Sequence, residues 1–184
     1  RVPPLFERSP ETGEIRSLNL DNIDLFLAQR GSRIKITGWE GEPLPEFSLQ
    51  TLDGRLFSHE SLKGSNALLY FWFTGCPPCK KIAPILAELS AAYRPRGFKF
   101  VGINADDVLE LETSNASRQA YLSKEGIDFV NLNLNREVRE KFGSINVYPT
   151  LFFVRKDGTI YRHYVNFQSR ERLVETIETM SAMN

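Results

Sequence analysis

The sequence predicts an α/β fold in which helices flank a sheet holding a parallel strand pair and an antiparallel hairpin. Three observations carry this. Residues 67–73 form a continuous apolar run, Ala-Leu-Leu-Tyr-Phe-Trp-Phe, the pattern of a central strand covered on both faces. A helical stretch with Ile82, Ile85, Leu86 and Leu89 on one face separates it from a second buried run at 98–103, and a strand–helix–strand unit implies parallel strands. Near the C-terminus, two strand-like segments at 151–154 and 159–165 flank Lys156-Asp157-Gly158, a hairpin turn signal.

Length and composition set the bounds. A chain of 184 residues with 41% hydrophobic side chains suits one domain with a proper core and excludes wholesale disorder. Its 23 basic and 23 acidic residues cancel, which argues against nucleic acid as a partner. No apolar run approaches the roughly 20 residues that span a bilayer. Residue 1 is Arg, and no charged segment followed by an apolar one marks a secretory signal, so any signal or anchor is expected upstream of these residues.

The elements follow in order. Residues 1–16, with Pro3, Pro4, Pro10 and Gly13, read as a loop or extended arm. Leu20, Ile23, Phe26 and Leu27 have helical spacing, which predicts a short helix at about 21–30, and the alternation at 33–37 predicts an edge strand. Phe47-Ser-Leu49, Asp53-Gly54 and Leu56-Phe57 form a hairpin pattern. After the second buried strand, helices are expected at 114–124 and 136–142 with a strand at 127–132 between them. Ser169 can cap a last helix whose apolar face holds Leu173, Val174 and Ile177. Trp39 lies outside the core strands, where it shields the functional site or fills a groove.

Both cysteines sit in one tetrapeptide, Cys76-Pro77-Pro78-Cys79, at the junction of the first central strand and its helix. The chemistry that favours this spacing is specific. At a helix N-cap, unpaired N–H groups and the positive end of the dipole stabilise a thiolate, and a second cysteine three residues on can close a disulfide with it. Cys76 is then the attacking nucleophile and Cys79 the resolving thiol. Neither proline has an N–H, so a Cys76 thiolate depends on Cys79 and Lys80 for backbone donors. No histidine stands between the cysteines. Both features point to a reducing or mildly reducing dithiol, against the weak opposing charge of Lys80 and Lys81. Two bland readings compete. A zinc site needs two more ligands, and the only histidines, His59 and His163, lie far apart in sequence. A structural disulfide at a helix start would staple little.

The segment Phe71-Trp72-Phe73-Thr74-Gly75-Cys76-Pro-Pro-Cys79-Lys80-Lys81, with Pro84 inside the helix and Tyr148-Pro149-Thr150 later, resembles the thioredoxin superfamily. Within it the chain is similar to the TlpA/ResA branch of extracytoplasmic thiol–disulfide oxidoreductases. The entry segment from Gly41, the 70 positions between Cys79 and Pro149, and the hairpin at 154–160 carry that likeness. The resemblance implies a thioredoxin-like fold: a central mixed β-sheet flanked by helices, with an N-terminal extension and an inserted helix and strand between the cysteines and a cis-proline. It implies a domain at 42–184 preceded by an arm at 1–41. Catalysis is placed on Cys76 and Cys79, and substrate contacts on Tyr148, Pro149, Thr74, Gly75 and Pro77. The only redox cofactor implied is the Cys76–Cys79 disulfide itself. The implied partners are protein thiols and disulfides, apocytochrome c among them, and a membrane or thioredoxin-type electron donor, in a periplasmic setting. The chain departs from the pattern where carboxylates assist the resolving thiol: those positions are Tyr70 and Ile82, and Glu88 lies too far along the helix to replace them. Gly75 stands where a tryptophan is common.

Two other functions compete. A peroxiredoxin-type peroxidase places a Pro and a Thr at fixed spacing before its cysteine, and only Thr74 precedes Cys76 closely. A binding module would act through the N-terminal extension without redox chemistry.

Overall fold

The computed structural model describes residues 6–8, 15–18 and 35–183. The helix expected at 21–30 lies outside them. Where a loop or extended arm is expected at 1–16, β1 (Phe6–Arg8) pairs antiparallel with β2 (Ile15–Leu18), which runs just past that segment.

The core is a five-stranded mixed sheet. Its strands are β5 (Ala67–Trp72), β6 (Lys99–Asn104), β7 (Asn131–Asn133), β8 (Thr150–Val154) and β9 (Ile160–Val165), in the order β7-β6-β5-β8-β9. β5 runs parallel to β6 and antiparallel to β8, so it sits at the centre. All six of its side chains are buried, which is why its sequence shows no alternation. A separate hairpin, β3 (Ser48–Gln50) with β4 (Leu56–Ser58), turns at Asp53-Gly54 and reaches the sheet edge through a bridge from Thr51 to Leu132.

Among the described residues four α-helices cover the sheet: α1 (Pro77–Tyr93), α2 (Asn115–Lys124), α3 (Arg136–Lys141) and α4 (Arg170–Ala182). Side-chain caps start all four, Cys76 on α1, Ser114 on α2, Asn135 on α3 and Ser169 on α4, each accepting from the N–H three residues on. Alternate residues of β5 sort the layers. Tyr70 and Trp72 face α1 and α2: the Tyr70 hydroxyl donates to the Cys79 carbonyl, and Trp72 stacks on Tyr121. Phe71 faces the other way, onto Phe142 at the end of α3 and onto Phe152. α4 lies beside α1, tied by Arg170 to Glu88 and by Tyr93 to Glu178. Gly102 is required by the same packing. A Cβ there would collide with the Asn131 side chain, whose oxygen accepts from Trp72 Nε1 at 2.9 Å.

The structure corrects two local expectations and decides between the alternatives for Trp39. Residues 35–37 form no strand: the Lys35 N–H donates to the Gly143 carbonyl, so a loop contact satisfies the backbone in place of a ladder. The strand expected at 127–132 shortens to β7, because only Asn131–Asn133 register against β6. Trp39 fills a groove. It meets Phe152 edge to face at 5.2 Å, and its Nε1 donates to the Lys35 carbonyl. Among the described residues no helix is long and apolar enough to cross a membrane.

Candidate active site

Strand β5 ends at Trp72, and three residues, Phe73, Thr74 and Gly75, carry the chain to Cys76. Gly75 makes that turn with a φ of 88°, in the left-handed region that side chains disfavour. Cys76 is the N-cap of α1 and is joined to Cys79 by a disulfide with a Cα–Cα distance of 5.2 Å. In this oxidised form the Cys76 sulfur stands where its thiolate forms after reduction. Its sulfur accepts from the Cys79 N–H at 3.3 Å. Pro77 and Pro78 occupy the first two helical positions and donate nothing. The Lys80 N–H, an expected second donor, goes instead to the Cys76 carbonyl at 3.0 Å. Among the described residues, Cys79 therefore supplies the only hydrogen bond to the Cys76 sulfur.

Both cysteines are buried, Cys76 at 1% exposure and Cys79 at 0%, while Gly75 and Pro77 beside them are exposed. The Tyr148–Pro149 peptide is cis, and the Tyr148 carbonyl oxygen lies 3.7 Å from the Cys76 sulfur. Pro149 is buried, and Phe73 meets the Tyr148 ring edge to face at 5.4 Å. The loop after β5, the start of α1 and the turn into β8 thus converge on one disulfide. Val147 and Phe167 are exposed apolar side chains on this side of the molecule, and the Asn166 N–H holds the second segment to the Pro149 carbonyl.

Behind Cys79 the carboxylate positions are filled by apolar or phenolic groups. Ile82 is fully buried. Burial pushes the Tyr70 phenol well above its ordinary range, reinforced by Tyr121 and Glu125, so Tyr70 stays protonated and cannot act as a base at the resolving thiol. Glu88 is spent on Arg170, on the exposed side of α1.

The site also contains a group that the sequence pattern does not single out. Asp106 follows β6 and is completely buried. It accepts from the Thr74 N–H and the Thr74 hydroxyl, each at 2.7 Å, from Thr113 Oγ1 at 2.5 Å and from Arg118 Nε at 3.1 Å. Burial pushes its carboxyl up, but the hydrogen bonds from Thr113 and Thr74 and the Arg118 charge outweigh burial, and the group lies below the ordinary carboxylate range. One signal was available: Asp106 stands just past the carboxyl end of a parallel strand, where α/β folds collect functional groups.

A redox disulfide at a helix N-terminus, set against a cis-proline turn on a central mixed sheet, defines a thiol–disulfide oxidoreductase with a thioredoxin-like fold. The profile of the AhpC/TSA family matches residues 41–163, well over half of the chain, and the protein belongs to that family. A thiol–disulfide oxidoreductase ResA of Bacillus thuringiensis is 29% identical over 134 residues, spanning 72% of this chain and 73% of the relative. ResA of Bacillus subtilis is 27% identical over 124 residues, 67% of this chain and 65% of the relative. Among solved structures, a secreted disulfide oxidoreductase of Mycobacterium tuberculosis homologous to DsbE of E. coli is 30% identical. It covers 72% of this chain and 95% of its own, with a TM-score of 0.62. A thioredoxin-family thiol:disulfide interchange protein from Chlorobium tepidum is 26% identical with a TM-score of 0.67, covering 79% of this chain and 99% of its own.

Proposed function

We propose that the protein reduces disulfides in protein substrates, with Cys76 as nucleophile and Cys79 as resolving thiol. The observation that carries this reading is the single hydrogen bond to the Cys76 sulfur. A thiolate with one backbone donor is weakly stabilised, and a dithiol whose thiolate is weakly stabilised gives up electrons readily. The Cys76 thiolate attacks one sulfur of a substrate disulfide, forms a mixed disulfide and expels the other substrate sulfur as a thiolate. Cys79, deprotonated, attacks the Cys76 sulfur, restores the Cys76–Cys79 disulfide and releases the second substrate thiol. Two electrons pass to the substrate, and a thiol donor of membrane or thioredoxin type returns them. Tyr148 supports substrate docking because its carbonyl lies against the sulfur, Pro149 because its cis bond to Tyr148 sets that carbonyl there, and Gly75 and Pro77 because they form its exposed rim. Thr74 contributes through the loop it fixes, since both its donors point to Asp106.

We place this activity outside the cytoplasm, as in the secreted relative, and take cysteine-bearing proteins such as apocytochrome c as the substrate class. The domain at 42–184 carries the chemistry, with residues 1–41 as its extension. A peroxidase reading finds less support. The Thr74 hydroxyl, the group that would handle peroxide, is bonded to Asp106. Trapping tests the proposal. Cys79→Ala should accumulate mixed disulfides between Cys76 and substrate cysteines, released by dithiothreitol and absent in the Cys76→Ser variant. Recovery of small-thiol adducts alone would count against it.

A further inference from the structure

Asp106 is outside the dithiol, yet two of its hydrogen bonds end two residues from Cys76. Asp106 Oδ1 takes the Thr74 N–H and Oδ2 takes the Thr74 hydroxyl. These are donors on the one stretch of chain that leads into the sulfur. The carboxylate is held in place from the inserted elements. Arg118 of α2 is itself buried and reaches Asp106 through Nε, Asp107 through Nη2 at 2.5 Å, and Asn133 of β7 through Nη1 at 2.9 Å. Thr113, just before α2, closes the ring on Oδ2. Asp106 has its own N–H bound to the Asn104 side chain, so its backbone is fixed as well.

On the helix side of the sulfur only the Cys79 N–H donates among the described residues: Pro77 and Pro78 have no N–H, and Lys80 is spent on a carbonyl. Thr74 stands two residues before Cys76, and Asp106 takes both of its donors. We propose that Asp106, held by Arg118, is a positioning residue that acts through Thr74: by turning both Thr74 donors away from Cys76, it keeps the Cys76 thiolate poorly solvated and the dithiol reducing. This rests on the reductase reading for its purpose, but not for its measurement.

The test is the pH dependence of Cys76 alkylation by iodoacetamide in the reduced full chain, together with the equilibrium of the disulfide against glutathione. Asp106→Asn removes the charge that draws in the Thr74 donors. The alkylation midpoint should fall by about half a pH unit or more, giving roughly threefold faster alkylation below it, and the glutathione equilibrium should move the same way, toward a more oxidising couple. Thr74→Val alone should leave the alkylation midpoint where it is, because its hydroxyl does not serve the sulfur. Thr74→Val in the Asp106→Asn background should cancel part of the fall, since it removes the hydroxyl donor and keeps the backbone N–H. Three results overturn the proposal: an unchanged midpoint in folded Asp106→Asn, a full shift that persists in the double variant, or a midpoint raised by Thr74→Val alone. If Asp106→Asn does not fold, the wild-type protein decides. Its Thr74 amide should exchange slowly in both redox states with a shift indifferent to Cys76 ionisation, and a Thr74 amide that follows the thiolate contradicts the proposal. A wild-type couple that proves oxidising while Asp106→Asn still shifts it defeats the reductase reading alone. A reducing couple that Asp106→Asn leaves unmoved defeats this inference alone.

Discussion

Gly75 shows how much one residue before the dithiol depends on backbone freedom. Its φ of 88° admits glycine without strain, and no atom lies within 4 Å of where a Cβ would be, so a side chain there meets backbone strain and not a clash. Gly75→Ala is therefore expected to cost about 1–3 kcal/mol, the usual price of a non-glycine residue held in a sparse region. Urea denaturation of the oxidised protein measures it, and a loss near zero would show that the turn relaxes. The cysteines and the cis-proline were legible because their types and spacing are local or distinctive. Asp106 was not, since its partners Thr74, Arg118 and Thr113 lie 32, 12 and 7 positions away and meet only when β6 stands beside β5. Tyr70 was legible as a missing acid, but its contact with the Cys79 carbonyl needs the register of β5 beneath α1.

Helix α1 carries its function in its first turn. The N-cap side chain accepts from N–H groups at the second and third helical positions, which here are Pro78 and Cys79, and the proline removes one of the two. Pro77 at the first position takes nothing away, because that site suits proline. Pro78→Ala should restore the second donor. The Cys76 alkylation midpoint is expected to fall by roughly one unit, the scale of one charge-assisted hydrogen bond, and the couple to become more oxidising. No change in midpoint would show that the new N–H does not reach the sulfur. Helices and their caps were readable because capping and apolar periodicity are local properties. The loss of the strand at 35–37 and the trimming of β7 were not, because strand pairing depends on which neighbour presents a free edge. Trp39 belongs with these: its place over Phe152 follows from Gly143, where a Cβ would press on both Lys35 and the Trp39 ring.

At the scale of the whole molecule the sheet separates two kinds of burial. One face carries the redox helix. The other carries Trp39, Phe152 and His163, whose rings pack at 4.6–6.3 Å. Burial there lowers His163 to about 4, with Glu40 opposing and Lys35 adding to the effect. The folded state thus holds a neutral imidazole that the unfolded chain protonates at its ordinary value near 6.5. The contribution is present above that value and is lost as pH falls toward the folded one, on the order of 3 kcal/mol in all. His163→Phe should flatten the stability profile between pH 6.5 and 4, measured by urea titration at each pH, and an unchanged slope would assign the acid sensitivity elsewhere. The fold class was readable as a whole, because the parallel pair, the hairpin and the insertion each left a sequence pattern. The tie that the insertion makes back to the dithiol, from Arg118 through Asp106 to Thr74, exists only in the assembled molecule.

The reducing character of the Cys76–Cys79 couple is tested most directly by its standard potential, read from redox equilibration with glutathione or a thioredoxin couple at pH 7. A value clearly below that of protein disulfide isomerase, about −180 mV, and toward that of thioredoxin, about −270 mV, is expected from a thiolate with one hydrogen-bond donor. A value well above about −180 mV would contradict the reductase and assign the dithiol to oxidising chemistry.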